Sequence, residues 1–358
     1  MTDRPPIPPP PVRVAVVVVT YEAERFVEDC FGSLRRIDAA GADVEVFAVD
    51  NGSRDGTVRL LRERFPEVTV LVNDRNLGFA GGNNVGIRRA LERGADFVYL
   101  LNPDTEVTPG FLREALSVAR ERPEAGQVQS LLLLATERTL VNTAGNVIHF
   151  LGLGYCGRFR EPASSVPDVP AEIAFASGAG VLLRAQALRE SGLFDEELFL
   201  YQEDLDLGWR MRLAGWSALL APRSVVFHKY AFSRNPEKYY FLERNRALVL
   251  LKNLRFRNLL LLSPALVAGE VGLSAVALRG GWFRQKVRAW GHLLTPAAWR
   301  HVRAGRAAQR SIRRVEDAEI VRFWSGDVVF EGLAGSWLEG LANPVMRLAW
   351  RALRPLLR

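Results

Sequence analysis

The apolar positions of this chain fall into short unbroken runs in its first hundred residues, separated by stretches where they recur with helical spacing. Residues 12–19, VRVAVVVV, form a near-continuous β-branched run ending at Thr20-Tyr21-Glu22, as expected of a parallel strand buried on both faces. Residues 24–37 place Phe26, Val27, Cys30, Leu34 and Ile37 at helical spacing, and Gly41 divides them from a second strand, VEVFAVD, that ends at Asp50. The three segments predict a right-handed βαβ unit. Turn residues NGSRDG follow, with Ser53 or Asp55 available to cap a helix carrying Leu60, Leu61 and Phe65, and then a third strand, VTVLVN. Past a glycine-rich turn at 76–86, a helix around 84–93 leads to the strand FVYLL, which stops at Asn102-Pro-Asp104. The βαβαβαβ order predicts an α/β fold, a Rossmann-like doubly wound and mostly parallel sheet.

From about 127 to 183 the pattern changes to short strands and loops, read as an insertion walling an acceptor side. Residues 173–184, IAFASGAGVLLR, read as a strand entered through a small-residue turn, and 185–191 as a short helix closed by Gly192. A helix with Leu205, Trp209 and Leu213 on one face comes next. Beyond Val225-Val226-Phe227-His228 helical patterns dominate. Residues 259–278 approach a membrane span in length, but contain Pro264, two glycines and Glu270, which favours a shallow or re-entrant membrane helix over a full crossing. An oligomer interface is the competing use of these helices.

Charge sharpens this division. The net formal charge is +7, but residues 244–358 hold 20 Lys and Arg against 7 Asp and Glu, a balance of +13 that leaves −6 for the rest. The basic third is also rich in Leu, Ala and Trp and lacks a nucleic-acid motif, so an anionic membrane surface is the expected partner and nucleic acid is not. Cys30 and Cys156 are the two cysteines, too few for a disulfide framework or a cysteine zinc site. The start, MTDRPPIPPPPV, is a proline-rich leader without a signal-peptide pattern, so a cytoplasmic setting is expected.

Two acidic positions carry candidate chemistry. Asp104 sits at the carboxyl end of a buried strand, where open α/β sheets place their ligands, and offers a hard oxygen to Mg²⁺ or Mn²⁺. Asn-Pro-Asp is equally an ordinary turn. Glu203, Asp204 and Asp206 open a helix about a hundred residues later, where carboxylates also simply complement the helix dipole. Read together, one carboxylate takes a proton from an attacking hydroxyl while a metal at Asp104 steadies a departing diphosphate. The stretch from Asn76 to Asn84 is neither a Walker loop nor a G-x-G-x-x-G fingerprint, yet its glycines and amides could hold phosphate or sugar hydroxyls at a helix start.

In order along the chain, VVVVTYE at 16–22, VDNGSRDGT at 49–57, NDRNLGFAGGNNVGI at 73–87, LLNPDTE at 100–106, FASGAGVLLR at 175–184 and FDEELFLYQEDLDLGWRMRLAGW at 194–216 resemble the inverting family 2 glycosyltransferases of the GT-A fold. The likeness is narrower still to their bacterial rhamnosyltransferase-like branch. The resemblance implies donor binding by Thr20, Tyr21, Glu22, Asp50, Asn51, Asn76, Gly78, Gly82, Asn83, Asn102, Asp104, Ser177 and Gly178. It places Asp50 on a pyrimidine base and Ser177-Gly178 beneath the transferred sugar. Asp204 would be the general base, Glu203 an orienting or acceptor-binding carboxylate beside it, and Asp104 and His228 the metal ligands. The family's Asp-x-Asp stands here as Asn102-Pro-Asp104, which implies weak affinity for free metal and joint binding of metal and donor.

The resemblance therefore implies a metal-dependent hexosyltransferase at the cytoplasmic face of the membrane. It would move L-rhamnose from a dTDP donor to a polyprenyl-linked or growing cell-envelope glycan. A UDP-galactofuranose or other UDP-sugar donor on the same fold is the nearest alternative, and a non-catalytic nucleotide-sugar-binding scaffold the more distant one. The expected organisation is a leader at 1–11, a GT-A domain at 12–235 with nucleotide (12–106) and acceptor (107–235) halves, and a basic amphipathic helical region at 236–358. All the donor and metal motifs precede residue 230, so residues 12–235 are expected to keep the donor site without the tail.

Overall fold

Strand β1 (Arg13–Thr20) feeds two cores at once. Val14, Val16 and Val18 point into one, Ala15 and Val17 into the other, because successive side chains of a strand leave opposite faces. This computed structural model describes residues 11–230, 236–328 and 336–358; the proline-rich leader up to residue 10 and the 231–235 end of the expected GT-A domain lie outside the described residues.

The nucleotide half continues as α1 (Glu24–Leu34), β2 (Asp43–Asp50), α2 (Thr57–Arg64), β3 (Thr69–Val72), α3 (Gly78–Glu92) and β4 (Phe97–Leu101). These strands lie parallel in the order β3-β2-β1-β4, which is the doubly wound sheet expected. The next elements are β5 (Thr105–Val107), α4 (Phe111–Glu121), β6 (Ala125–Leu134), β7 (Val141–Thr143), β8 (Asn146–His149), β9 (Gly154–Cys156), β10 (Ala171–Glu172), β11 (Gly180–Arg184), α5 (Ala185–Ser191), α6 (Glu203–Leu213) and β12 (Ser217–His228). Strand β11 lies antiparallel between β4 and β6, and β12 runs parallel to β6. Strand β6 is thus a central strand of the main sheet, buried along its whole length, and not part of an insertion. Its two glutamines disguised it, because a sequence pattern cannot show that their amides are spent on neighbouring backbone.

Helices α1, α2 and α4 cover one face of the sheet and α3, α5 and α6 the other. The C-terminal elements α7 (Glu237–Asn253), α8 (Phe256–Arg279), α9 (Phe283–Leu293), α10 (Pro296–Ile312), α11 (Asp317–Val321), β13 (Trp324–Ser325) and α12 (Ser336–Leu353) add a further layer. Helix α6 lies between: Leu207 and Met211 face the sheet, while Leu205, Trp209 and Leu213 join Leu248, Val249, Leu262, Val302 and Trp350 in a third core. A helix packed on both sides is buried all round rather than amphipathic. Its polar residues are buried with it, and Asp206 takes hydrogen bonds from Arg210 Nε (2.8 Å) and Asn253 Nδ2 (2.9 Å) and pairs with Lys252 Nζ (2.8 Å).

Helix α8 runs without a break through Pro264. Its Glu270 meets Arg246 on α7 (2.5 Å), Lys286 on α9 (2.7 Å) and the indole N–H of Trp290 (2.7 Å). Those partners explain a carboxylate inside an apolar run. Phe256, Leu260, Val267, Val271 and Leu278, each more than half exposed, share a narrow stripe on the side away from the protein.

Candidate active site

The carboxyl ends of β1 and β2 meet at Thr20 and Asp50, which are paired in register. Asp50 is fully buried, and its carboxylate accepts from Thr20 Oγ1 (3.0 Å), Ser53 N–H (2.8 Å) and Ser53 Oγ (2.6 Å). Its observed work is to hold the turn after β2. Glu22, with φ +49°, closes the same corner by accepting from Arg54 N–H (2.8 Å) while its own N–H donates to Ser53 Oγ (2.9 Å). Tyr21 stands beside them half exposed.

Asn51 ties this corner to α3. Its amide nitrogen donates to Gly78 O (2.9 Å), and its oxygen accepts from Asn73 Nδ2 (2.9 Å). Asn76 Oδ1 accepts from Gly78 N–H (2.8 Å), an Asx turn leading into the helix. The glycine-rich stretch expected as a loop is helical from Gly78 onward. Gly82 and Asn83 are therefore interior helix positions, and Asn83 donates to Phe79 O one turn back (2.9 Å) instead of capping. Close packing explains the glycines: a Cβ on Gly82 would lie 2.8 Å from Val19 Cγ1, and one on Gly86 2.3 Å from Val17 Cγ1. Weak helix propensity is overridden by the need to seat α3 against β1.

Asn102 N–H donates to Ala179 O (3.2 Å), so the end of β4 abuts the 177–180 turn. That turn is set from behind by Gln129, whose Oε1 accepts from Ser177 N–H (2.9 Å). Gly178 N–H points at Asp204 Oδ2 (3.5 Å), and a Cβ on Gly178 would strike the Phe79 ring at 2.6 Å. Pairing of β5 with β12 sets Thr105 opposite His228. Asp104 Oδ1 then lies 3.3 Å from His228 Nε2, while Nδ1 of the same ring meets Asn142 Oδ1 at 2.8 Å. Asn142 Oδ1 takes up Nδ1 and leaves Nε2 facing the carboxylate, an oxygen and a nitrogen that could share a cation. Among the described residues no group of three or more His, Cys, Asp and Glu could hold a metal. Asp104 and His228 by themselves make a pair, so a cation there would need further oxygens from a bound substrate.

The three carboxylates of α6 have been driven apart in proton affinity. Burial works against ionisation of Asp206, but Lys252 and Arg210 outweigh it and hold its carboxyl below the ordinary value. Burial raises Glu203 well above the ordinary range, with the charge of Asp204 adding to it, and its Oε2 has no hydrogen-bond partner. Asp204 is raised by burial to about 6, opposed by the N–H groups of Leu205 (2.8 Å) and Gly178. Asp206 is thus a charge-paired anchor, Glu203 the carboxyl that burial most disfavours as an anion, and Asp204 the one raised to about 6.

Residues 9–248 match the family described as glycosyltransferase-like family 2. The chain belongs to that family. It is a glycosyltransferase, and its fold is the GT-A fold. Among its relatives, the N-acetylglucosaminyl-diphospho-decaprenol L-rhamnosyltransferase of Mycobacterium tuberculosis is 30% identical over 247 residues, spanning 63% of this chain and 79% of that protein. A low-salt glycan biosynthesis hexosyltransferase of Haloferax volcanii is 23% identical over 56% of this chain and 61% of its own length. In three dimensions the glycosyltransferase resembles GalNAc-T7 crystallised with UDP, GalNAc and Mn²⁺ (TM-score 0.54, 16% identity, 67% of this chain and 47% of that one). It also resembles S. aureus TarS (TM-score 0.52, 16% identity, 84% and 54%). The glycosyltransferase spans about half the length of each of these two structures.

The candidate site rests on two residues that sequence reasoning did not single out, Gln129 and Asn142, while the amide of Asn84, expected at a phosphate or sugar, instead donates to Phe194 O (2.9 Å) and Glu196 Oε1 (2.9 Å). A glutamine in an otherwise apolar strand was the available signal for the first. Nothing local marked Asn142.

Proposed function

We propose that this glycosyltransferase moves a sugar from a nucleoside-diphosphate donor to a membrane lipid-linked glycan with inversion, Asp204 acting as general base. The graded proton affinities of Glu203, Asp204 and Asp206 carry the reading. Asp204, with its carboxyl raised to about 6, is ionised at neutral pH yet basic enough to draw a proton from an acceptor hydroxyl. Burial and the neighbouring Asp204 charge both disfavour a second anion at Glu203. Thr20, Tyr21, Glu22 and Asn51 form the proposed nucleotide edge, with Asp50 shaping it through the Ser53 turn. Ser177 and Gly178 are proposed to lie beneath the transferred sugar, with Phe79 packed where a side chain at 178 would stand.

Asp104 and His228 are the proposed protein ligands of a divalent cation, with Mn²⁺ better suited than Mg²⁺ to an imidazole nitrogen. Such a cation, when bound with the donor, neutralises charge on the leaving diphosphate. The name of the M. tuberculosis relative supports L-rhamnose as the sugar moved and a diphospho-decaprenol-linked N-acetylglucosamine as acceptor; a dTDP donor is what the family resemblance implies. The exposed apolar stripe of α8 and the +13 balance of residues 244–358 support seating on an anionic cytoplasmic membrane face.

The test is nucleoside diphosphate release by the full chain with Mn²⁺ and that acceptor, across dTDP-rhamnose, UDP-galactofuranose, UDP-hexoses and UDP-N-acetylhexosamines. Acceptor-dependent turnover with dTDP-rhamnose above the UDP-sugars is expected, with inverted anomeric configuration in the product. Retained configuration would refute the role of Asp204, and preference for a UDP-sugar would refute the rhamnosyl donor alone.

A further inference from the structure

The segment leading into α6 is held in a backbone shape that its own residues disfavour. Phe199, Tyr201 and Gln202 have φ of +60°, +66° and +70°, left-handed values that side-chain-bearing residues adopt only where the surroundings impose them. Gln202 directly precedes Glu203 and Asp204.

What imposes the shape comes from α7. Asn245 is fully buried, and its Nδ2 lies 2.8 Å from Leu198 O, 3.0 Å from Leu200 O and 2.7 Å from Tyr201 O. Its Oδ1 accepts from Arg244 Nε (2.9 Å), which orients the amide, and Arg244 Nη2 donates to Glu197 O (2.6 Å) and Leu198 O (3.2 Å). Phe241, one turn earlier, stacks on Phe199 with ring centroids 5.4 Å apart. At the other side of the loop, Phe199 O accepts from Ala80 N–H (3.2 Å) at the start of α3. The loop is therefore shared between the donor-side helix, the helix bearing the carboxylates, and α7.

We propose that Asn245, oriented by Arg244, is a positioning residue for sugar transfer, fixing the 197–202 loop so that Asp204 faces the acceptor hydroxyl. This rests on the reading of Asp204 as the base. The amide's nitrogen is directed at loop carbonyls and touches no part of the donor corner built by Thr20, Asp50, Asn51, Asp104 and His228. Its loss acts on the orientation of Asp204 and leaves nucleotide binding in place. A 1 Å displacement of a reacting group is enough to cost about 10²-fold in rate.

The experiment compares Asn245→Ala, Asn245→Ser, Leu248→Ala and Asp204→Asn in the full-length protein. The readouts are kcat and KM with the best donor of the panel above, dTDP and UDP affinity by calorimetry with Mn²⁺, and thermal stability. Leu248, buried on the same helix but not bonded to the loop, reports general loosening. Expected is a fall in kcat of tenfold or more for Asn245→Ala with donor KM and nucleotide affinity within twofold, a smaller fall for Asn245→Ser, which keeps one donor, and unchanged kcat for Leu248→Ala despite a lower Tm. Should Asn245→Ala not fold, Asn245→Ser and Arg244→Lys carry the comparison. Wild-type kcat in the folded Asn245 variants while Asp204→Asn is inactive overturns the positioning role alone. An equal kcat loss in Leu248→Ala overturns it too. Full turnover in Asp204→Asn refutes the base assignment instead.

Discussion

His228 Nε2 stands 3.3 Å from Asp104 Oδ1, brought there by β12 pairing with β5 across more than a hundred residues of sequence. In the proposed role this nitrogen and this oxygen are the protein's share of a cation site. With two protein groups, affinity for free metal should be low and should rise when a diphosphate adds its oxygens.

EDTA should accordingly abolish transfer and Mn²⁺ restore it. Asp104→Ala and His228→Ala should each raise the Mn²⁺ concentration for half-maximal rate by about tenfold or more, the scale typical of losing a group that supports a metal site. Full activity in EDTA would assign the pair a purely structural role.

The raised carboxyl of Asp204 predicts the pH dependence. As the proposed base Asp204 must be ionised, so kcat should climb as pH rises through about 6 and fall tenfold per unit below it. The folded state holds an extra proton between the ordinary carboxylate value and about 6, so this group's stabilising contribution is present below that window and lost as pH rises through it. Asp204→Asn should then lose about 10²–10⁴-fold in rate and gain about 1–3 kcal/mol of stability at pH 7. Calorimetric melts and initial rates at matched pH check both; an activity profile flat from pH 5 to 8 sinks the assignment.

Gly86→Ala separates local propensity from packing. By propensity alone, alanine inside a helix is better than glycine by about 1 kcal/mol. Here the new methyl would meet Val17 Cγ1 at 2.3 Å, with Val17 Cγ2 and Val49 Cγ2 at 3.1 Å, and overpacking of that kind costs about 1–3 kcal/mol. A lower Tm is expected. A higher one would show that α3 can lift away from β1.

Cutting the chain after residue 235 should not leave a working donor domain, contrary to the expectation from motif positions. It would strip Leu248, Val249, Leu262 and Val302 from Trp209 and Leu205, and remove Lys252 and Asn253 from the buried Asp206. A buried carboxylate left with Arg210 as its remaining partner and an exposed core should make the fragment insoluble or unfolded. A soluble fragment with native circular dichroism and intact UDP or dTDP binding would contradict this.

Membrane seating is tested on the outer stripe of α8. The double substitution Val267→Glu with Val271→Glu sets two charges where the side chains are 65% and 68% exposed, so the fold should survive. Sedimentation with anionic vesicles should fall sharply, and binding of the unaltered protein should weaken with salt, each well-placed Lys or Arg contributing about 1 kcal/mol. If the unaltered protein stays in the supernatant at low salt, these helices serve an oligomer interface, which light scattering would reveal.

The alternation of cores along β1, the strand ends at Asp50 and Asp104, and the acidic start of α6 were legible in the amino-acid sequence, because strand burial and helix entry depend on residues a few positions apart. So was the basic, apolar character of the C-terminal third. The sequence could not show that residues 78–83 are helical, since glycine and asparagine there favour a turn locally and only contact with Val17, Val19 and Asn51 makes a helix the better state. Nor could it show which of Glu203, Asp204 and Asp206 titrates near neutrality. That depends on Lys252 and Arg210 reaching one carboxylate, on a second being buried without a partner, and on Gly178 reaching the third. The dependence of the 197–202 loop on Asn245 is likewise a tertiary decision. Three left-handed residues do not adopt that shape by local preference, and the amide bonded to the loop's carbonyls lies more than forty residues away on a helix whose pattern suggested a membrane surface or an oligomer interface.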